Sequence, residues 1–325
     1  MKKKKVEVGE IDIEILRLLY KTEFMSEVQI AVMVGENHDY VKGRLKKLCR
    51  AGLIGRKTMD GKAMNYIKRD GVKEAGLAVR NIHEPKLGRY EHCLGTVDGF
   101  CWLSIKRLFK DGSVHGITDF GRIITERDFN SVKEMRIAGY RADGQPIYKA
   151  VDKDIHAPDG FFQRPDGYYC AIEFERVAKS SKALVRRNVF ANARRFTYQW
   201  WFFDDPYVGK VLHQIQTEIG KNHMNVRSIR EVRSDLERYL SLIPTVISQK
   251  SGIPRRSCLG QMVEPISISR IPLLPEYKER VAFEQRATPA AAGTAERTIT
   301  QNPIAQPASA ASVARPQGKS LFERR

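Results

Sequence analysis

The chain has 325 residues, which is enough for two domains of ordinary size and a tail. Its 56 lysine and arginine residues outnumber 38 acidic ones, and a formal net charge of +18 indicates an anionic partner, most often nucleic acid. Solubility alone is the alternative explanation of such a charge. The five scattered cysteines contain no C-x-x-C pair, which argues against a disulfide framework and against a structural zinc site.

The N-terminus and the longest apolar run predict a soluble, cytoplasmic protein. Residues 1–9 form a basic arm in which acidic residues follow the lysines, where a secretory signal would continue with an apolar stretch. The longest apolar run, Tyr198–Phe203, is too short to span a bilayer. We therefore expect no membrane insertion, and a reducing compartment suits the unpaired cysteines.

Residues 10–80 have the order of elements that is typical of a winged helix-turn-helix domain. Apolar residues at helical spacing predict three helices, with Ser26 as the N-cap of the second and Gly52 ending the third. These helices are predicted over 11–21, 26–34 and 39–51. Two short extended runs follow, and Asp60-Gly61 between them favours a hairpin that would form the wing.

The third helix of such a domain lies in the major groove, and the wing reaches the flanking DNA backbone. The candidate DNA contacts are polar or basic residues of this helix and the wing: Asn37, Tyr40, Lys42, Arg44, Lys47, Arg56, Lys57 and Lys62. The alternative is that the basic residues form the solvated face of an amphipathic helix. The basic hairpin directly after the helix favours DNA binding.

The region 90–243 alternates predicted helices and strands, which indicates an α/β domain. The predicted elements are a helix over 90–110, an extended segment over 122–125, a hairpin over 160–175, a basic helix over 179–196, a strand over 198–203, and helices over 207–219 and 231–242. Residues 244–325 are predicted to be a largely disordered Pro/Ala-rich tail, because they bury too little apolar surface to offset their ordering entropy. The fold class is therefore α/β, or α+β over the whole chain.

The predicted hairpin over 160–175 carries a cluster of acids. Glu173 and Glu175 project from one face of its second strand, and the hairpin brings Asp159 alongside them. Carboxylates held this close repel one another, and a divalent cation such as Mg²⁺ or Mn²⁺ relieves the repulsion. Such an ion beside a phosphodiester can activate water. The alternative is an ordinary hairpin whose acids pair with neighbouring arginines.

Histidines and arginines near this hairpin have two interpretations each. His156 is expected either near the metal or, as is commoner for a lone histidine, in a structural role, and His92 has no stronger indication. Arg186 and Arg187 on the basic helix either line a DNA channel beside the acids or belong to a solvated face.

Several stretches together resemble the replication-relaxation family of plasmid proteins and the MobC-type mobilisation proteins. They are DIEILRLLYKTEFMSEVQIAVMV, VKGRLKKLCRAGLIGRK, RYEHCLGTVD, ITERDF, HAPDGFFQ and YYCAIEFE, within residues 10–230. The resemblance implies an N-terminal winged helix and a second domain like the restriction endonucleases. It also implies a role in relaxing, nicking or initiating transfer of plasmid or integrative-element DNA.

The spacing of the acids is similar to that of the PD-(D/E)xK nucleases, in which an Asp precedes an acid-x-Lys motif. This resemblance implies metal ligands at Glu126, Asp159 and Glu173, with Glu175 as a further ligand or base. Glu175 occupies the position of the family's Lys, so Lys179 or Lys182 on the next helix is the candidate replacement. The departure bears on catalysis and not on the fold.

Two functions follow as hypotheses. In the first, the protein recognises an origin of transfer or replication in double-stranded DNA and nicks it as a metal-dependent relaxase, with other relaxosome or coupling proteins as partners. In the second, it is a non-enzymatic regulator of replication or transcription whose nuclease-like domain is inactive. The retained acids favour the first hypothesis, and the missing Lys favours the second.

Overall fold

The computed structural model describes residues 7–59, 61–78, 84, 87–105, 107–108, 114–115, 117–132, 135–150, 155–176, 182–243 and 257–276. The chain is a mixed α/β protein, as the sequence predicts. All of these residues belong to one compact unit. Among them, no helix is both long and apolar enough to cross a membrane.

Residues 10–74 form helices around a small antiparallel sheet. The elements are α1 (Glu10–Lys21), β1 (Met25–Ser26), α2 (Glu27–Val34), α3 (His38–Arg50), β2 (Ile54–Met59), β3 (Lys62–Ile67) and α4 (Arg69–Glu74). Ser26 caps α2 because its hydroxyl accepts from Gln29 N while the Gln29 side chain accepts from Ser26 N. Gly52 ends α3 with a φ of 79°, a left-handed conformation that favours glycine. The three strands lie in the order β1–β3–β2.

A five-stranded sheet forms the centre of the remaining chain. The elements of this part of the chain are α5 (Tyr90–Ser104), β4 (Arg107–Leu108), β5 (Val114–His115), β6 (Ile124–Thr125), α6 (Glu126–Ser131), β7 (Met135–Tyr140), β8 (Pro146–Ala150), β9 (Gly160–Gln163), β10 (Tyr169–Glu175), α7 (Lys182–Ala193), β11 (Tyr198–Phe203), α8 (Pro206–Ile219), β12 (Met224–Ser228) and α9 (Ile229–Leu242). The pairs β4–β5 and β7–β8 form separate two-stranded sheets. The sheet order is β12–β11–β10–β9–β6; β10, β11 and β12 are parallel, and β9 is antiparallel to both of its neighbours. α5 packs closely on one face because Gly95 leaves room for the ring of Phe174.

The N-terminal elements and the central sheet share one hydrophobic core. Lys21, at the end of α1, is buried and pairs with Asp128 of α6 at 3.0 Å, and it donates to Gly121 O at 3.1 Å. Thr125 Oγ1 donates to Lys21 O at 2.7 Å. The two regions predicted as separate domains, 10–80 and 90–243, are therefore joined by buried polar contacts as well as by apolar packing.

The structure differs from the sequence prediction in several segments. α5 ends at Ser104, before the predicted end at residue 110. The strand β12 and the hairpin β7–β8 have no predicted counterpart. In the predicted tail, residues 257–276 pack against the core with Cys258, Leu259 and Ile271 buried, because their apolar side chains are denser than in the Ala-rich part. Residues 1–6 of the predicted arm and 244–256 and 277–325 of the predicted tail lie outside the described residues.

Candidate functional site

Strand pairing places Asp159 and Glu173 at the same edge of the central sheet. β9 begins at Gly160, which pairs with Ile172 of β10. The strands are antiparallel, so Asp159, one residue before Gly160, lies beside Glu173, one residue after Ile172. The N–H of Phe174, beyond the last β9 pair, donates to Asp159 Oδ2 at 2.8 Å. The hairpin therefore brings these two acids together and fixes the Asp159 carboxylate by a backbone hydrogen bond.

A histidine from α5 contacts the other oxygen of Asp159. His92 Nε2 lies 2.9 Å from Asp159 Oδ1, and the His92 ring packs against the Phe174 ring. Burial lowers the pKa of His92, but the hydrogen bond and charge of Asp159 outweigh burial, so the pKa is raised above its ordinary value. A histidine held in this way by a carboxylate can exchange a proton near neutral pH.

Glu173 is buried on β10 beneath α7. Its Oε1 lies 2.7 Å from His156 Nε2 and accepts a hydrogen bond from Asn192 Nδ2 at 2.8 Å. Burial raises the pKa of Glu173; contact with His156 opposes this rise, and the charge of Asp159 adds to it. Asp159 and Glu173 thus each have a histidine partner.

Glu126 occupies the rim of this site. Its N–H donates to Asp159 O at 3.0 Å, which links the start of α6 to the start of β9. Its carboxylate pairs with Arg89 at 2.8 Å, and about half of each side chain is exposed. We call Glu126, Asp159 and Glu173 the carboxylate site.

Glu175 and Lys182, the other predicted catalytic residues, are less closely joined to the carboxylate site. Glu175 is half-buried at the end of β10, and it shares a strand face with Glu173. Lys182 is exposed at the start of α7, and within the described ranges it has no contact with Glu126, Asp159 or Glu173. Lys179, the other candidate for the family's lysine, lies outside the described residues.

Both oxygens of Asp159 contact protein donors, whereas Glu173 and Glu126 each use one oxygen in this way. Asp159 contacts His92 and Phe174 N, Glu173 contacts His156 and Asn192, and Glu126 pairs with Arg89. In the described part of the chain, no group of three His, Cys, Asp or Glu side chains is arranged to hold a metal ion. Mg²⁺ or Mn²⁺ at these carboxylates stays a prediction, because such an ion binds through oxygen atoms that other donors leave open.

A cleft of about 570 Å³ opens beside Asp159. The end of α1, α5 and α6 supply its walls, and His92 and Glu126 are among the lining side chains. The buried hydroxyl of Thr96, also in the wall, has no hydrogen-bond partner among the described residues. The cleft therefore offers a small polar group both a histidine–aspartate pair and an unsatisfied hydroxyl.

The second set of predicted site residues lies on α3. Its apolar residues Val41, Leu45 and Leu48 are buried, so the opposite side of the helix faces solvent. Asn37 is the N-cap and accepts from Asp39 N at 2.8 Å. The side chains on and beside the outward side are mostly basic, and we call them the α3 surface: Tyr40, Lys42, Lys46, Lys47 and Arg50.

Arg44 differs from the other basic residues of α3. Its Nε donates to Asp12 Oδ1 at 2.7 Å, its terminal nitrogen also contacts Asp12, and the Asp12 side chain has 0% exposure. This contact raises the pKa of Arg44. The structure therefore places Arg44 in an ion pair between α1 and α3 and not on the α3 surface.

The basic residues predicted on the wing are mostly paired. Arg56 contacts Glu27 at 2.7 Å, and Lys57 contacts Glu84 at 2.7 Å. The side chain of Lys62 lies outside the described residues. On α7, Arg186 pairs with Glu218 and lies 5.1 Å from the centre of the Phe190 ring, while the charge of Arg187 acts on His156.

Sequence analysis did not select five residues at the carboxylate site and the α3 surface as site residues, although it considered His92. His92, Arg89 and Asn192 reach the carboxylate site from segments distant in the chain, and no local spacing marks them. Lys46 and Arg50 could have been identified, because they follow Lys42 and Lys47 at helical spacing.

Comparisons of the chain with protein-family models, with characterised proteins and with solved structures give no match.

Proposed function

We propose that the protein binds double-stranded DNA through the α3 surface. The observation that carries the proposal is the set of cations on the outward side of α3: Lys42, Lys46 and Arg50 have no acidic partner among the described residues. Open cations displace the counterions of phosphate groups on binding, whereas cations already paired with acids contribute little. The net charge of +18 adds long-range attraction.

The shape of this region supports the same proposal. α3 follows α2 after a short turn, and the β2–β3 hairpin follows α3; this order of elements supports a winged helix-turn-helix. The apolar side of α3 packs on the core of the region, which leaves its outward side chains at helical spacing. An α-helix fits the major groove. Recognition of an origin of transfer or replication is the specific form of the hypothesis.

The test compares two triple variants by fluorescence anisotropy with a labelled random-sequence duplex. Lys42→Ala/Lys46→Ala/Arg50→Ala should weaken binding by about 100-fold at low salt, and the slope of log K against log salt should fall by about 3. The control, Lys73→Ala/Lys210→Ala/Lys221→Ala, removes the same charge from exposed residues elsewhere. Equal losses in both variants would show attraction by net charge alone and would refute the α3 assignment.

Phosphodiester cleavage is a second candidate activity, and the His92–Asp159 pair at the wall of the cleft is the observation in its favour. The paired histidine is the type of group that removes a proton from water. A topologically similar arrangement, a β-hairpin followed by a helix and a parallel strand, occurs around the acids of the PD-(D/E)xK nucleases, which supports a nuclease-like domain. Glu175 in place of the family's Lys, with Lys182 not in contact with these acids among the described residues, favours the non-enzymatic alternative.

Supercoiled plasmid incubated with Mg²⁺, Mn²⁺ or EDTA distinguishes these alternatives. Cleavage at the carboxylate site predicts that the wild-type protein nicks the plasmid and that Asp159→Ala abolishes nicking. Asp166→Ala, on the exposed turn of the same hairpin, is the control and should preserve nicking. The effect of EDTA would show whether a metal takes part. Tight DNA binding without nicking under all three conditions would exclude an autonomous nuclease.

A further inference from the structure

The cleft beside Asp159 is large enough to hold a ligand. Its volume of about 570 Å³ lies within the usual range of ligand sites, about 300–1,000 Å³. His92, Thr96 and Phe100 follow one another at steps of four residues along α5, so they share the face of this helix that lines the cleft. The wall therefore combines hydrogen-bonding and apolar side chains on a single helix.

The charged side chains around this cleft already have partners within the protein. His92 contacts Asp159 at 2.9 Å, and Arg89 pairs with Glu126 at 2.8 Å. Arg127 donates to a backbone carbonyl just after α1 at 2.6 Å. A charged ligand would have to displace one of these partners, whereas an uncharged polar ligand would not. The arrangement therefore favours an uncharged ligand.

Thr96 supplies a hydrogen-bonding group to such a ligand. Its hydroxyl is buried and has no hydrogen-bond partner among the described residues, and an unmade hydrogen bond at a buried polar atom costs free energy. A threonine in a helix has two common side-chain rotamers, so this hydroxyl can turn towards a ligand in the cleft. The apolar side chains of Val97 and Phe100 also line the cleft and suit the flat face of a ring. The expected ligand is a flat ring with hydrogen-bonding atoms on its edge.

A second cleft, of about 560 Å³, adjoins the first and reaches the wing. Arg89 and His92 line both clefts, so the two meet at the start of α5. Met59, the last residue of β2, lines the second cleft, and so does Tyr90, whose ring offers a face for stacking of a base. The two clefts thus lead from the hairpin that would contact DNA to Asp159. This continuity favours a nucleic-acid strand over an unrelated small molecule.

We propose that the cleft beside Asp159 binds the base of an unpaired nucleotide. A nucleobase is an uncharged flat ring whose edge donates and accepts hydrogen bonds, as His92 and Thr96 require. A cleft of this volume holds one nucleotide and not a base pair with both of its backbones, so the nucleotide must leave the duplex. Presentation of the base by a DNA strand rests on the proposed DNA binding. A free nucleoside offers the same base and is the other source.

Fluorescence anisotropy with two labelled duplexes that differ by one extra unpaired adenine tests the proposal. The full wild-type chain should bind the bulged duplex about tenfold more tightly than the fully paired one. Asn130→Trp, which fills the cleft from its exposed rim, should remove this preference and leave the affinity for the paired duplex unchanged. The matched control, Asn222→Trp, adds the same ring on an exposed turn and should keep the preference.

Thr96→Val tests the buried hydroxyl separately. Valine keeps the size of the side chain and removes one hydrogen-bonding group, so the preference for the bulged duplex should fall about fivefold. Thr217→Val makes the same change on the exposed side of α8 and should leave the preference unchanged.

Calorimetric titration with deoxyadenosine distinguishes the two sources of the base. Binding that Asn130→Trp removes would show that a free nucleoside is sufficient, whereas a bulge preference without nucleoside binding would show that a strand must present the base. Equal affinity for the two duplexes together with no nucleoside binding would overturn the proposal. So would a preference that Asn130→Trp and Thr96→Val both leave intact. Loss of all duplex binding would refute only the proposed function, and the nucleoside titration would then decide whether the cleft binds a base.

Discussion

The α3 surface and the carboxylate site differ in whether their charged side chains have partners within the protein. On α3, the cations Lys42, Lys46 and Arg50 face solvent with no acidic partner in the described part of the chain. At the carboxylate site, acids and histidines are paired within the protein, at 2.9 Å for Asp159 and 2.7 Å for Glu173. The comparison shows that the number of charged residues in a segment does not reveal which charges are open to a ligand. The positions of their partners do.

Arg44 provides the strongest test of this comparison, because it lies on α3 but is paired like the residues of the carboxylate site. Arg44→Ala leaves the Asp12 carboxylate, which has 0% exposure, without its partner. We expect the free energy of unfolding, measured by urea denaturation, to fall by about 3 kcal/mol. Lys46→Ala is the control on the same helix and should change it by less than about 0.5 kcal/mol. Weaker DNA binding by Arg44→Ala at unchanged stability would contradict the pairing.

The same comparison of groups with and without a partner applies to the reactivity of the cysteine thiols. Cys93, on the cleft wall, donates to Glu23 at 3.0 Å, and burial together with this carboxylate strongly raises its pKa. Cys49 on α3 is half-buried, and the other three cysteines are buried. Because the thiolate is the reactive form, we expect iodoacetamide at pH 8 to modify Cys93 at least about tenfold more slowly than Cys49, as measured by peptide mass spectrometry. Glu23→Gln should speed modification of Cys93; equal rates in the wild type would contradict the assignment.

The contribution of the His156–Glu173 contact to the stability of the fold depends on pH. Burial lowers its pKa, but Glu173 outweighs burial, so the pKa is higher in the folded chain than in the unfolded one. Protonated His156 therefore stabilises the fold fully below the unfolded pKa of about 6.5, and this contribution is lost as the pH rises through the folded-state pKa. The stability difference between wild type and His156→Gln should be larger at pH 6 than at pH 8.5.

The control for this prediction is His213→Gln, which removes an imidazole from the exposed side of α8. The difference in the free energy of unfolding between wild type and His213→Gln, measured by denaturation at both pH values, should not decrease in the same way from pH 6 to pH 8.5. A difference for His156→Gln that grows between pH 6 and pH 8.5 would reverse the sign and contradict a protonated His156.

Local signals in the sequence predict much of the order of elements. Ser26 and Gly52 mark helix ends because a cap and a left-handed glycine act within a few residues. The hairpin with Asp159 and Glu173 is predictable because alternation and a Pro-Asp-Gly turn are local. Asp143-Gly144 gives the same turn signal for β7–β8, which sequence analysis did not use.

The partners of the charged groups are not predictable in this way. Arg44 and Asp12 are 32 residues apart, and His92 and Asp159 are 67 apart, so each contact depends on tertiary packing. The buried pair of Lys21 and Asp128 likewise requires α1 and α6 to meet. Periodicity shows which side of α3 is polar, but only the fold shows that Arg44 faces Asp12 while Lys46 faces solvent.

Substitutions on the basic helix α7 are expected to have the smallest effect, and they allow a direct comparison with those on α3. Lys182→Ala/Arg186→Ala/Arg187→Ala removes three cations, as the α3 variant does. However, Arg186 already pairs with Glu218, so fewer of these charges are available to phosphate groups. We expect DNA affinity in the same anisotropy assay to change by less than about threefold, and stability by less than about 1 kcal/mol because the Arg186–Glu218 pair is exposed. A loss equal to that of the α3 variant would mean that α7 also contacts DNA, and the DNA-binding surface would then extend to the carboxylate site.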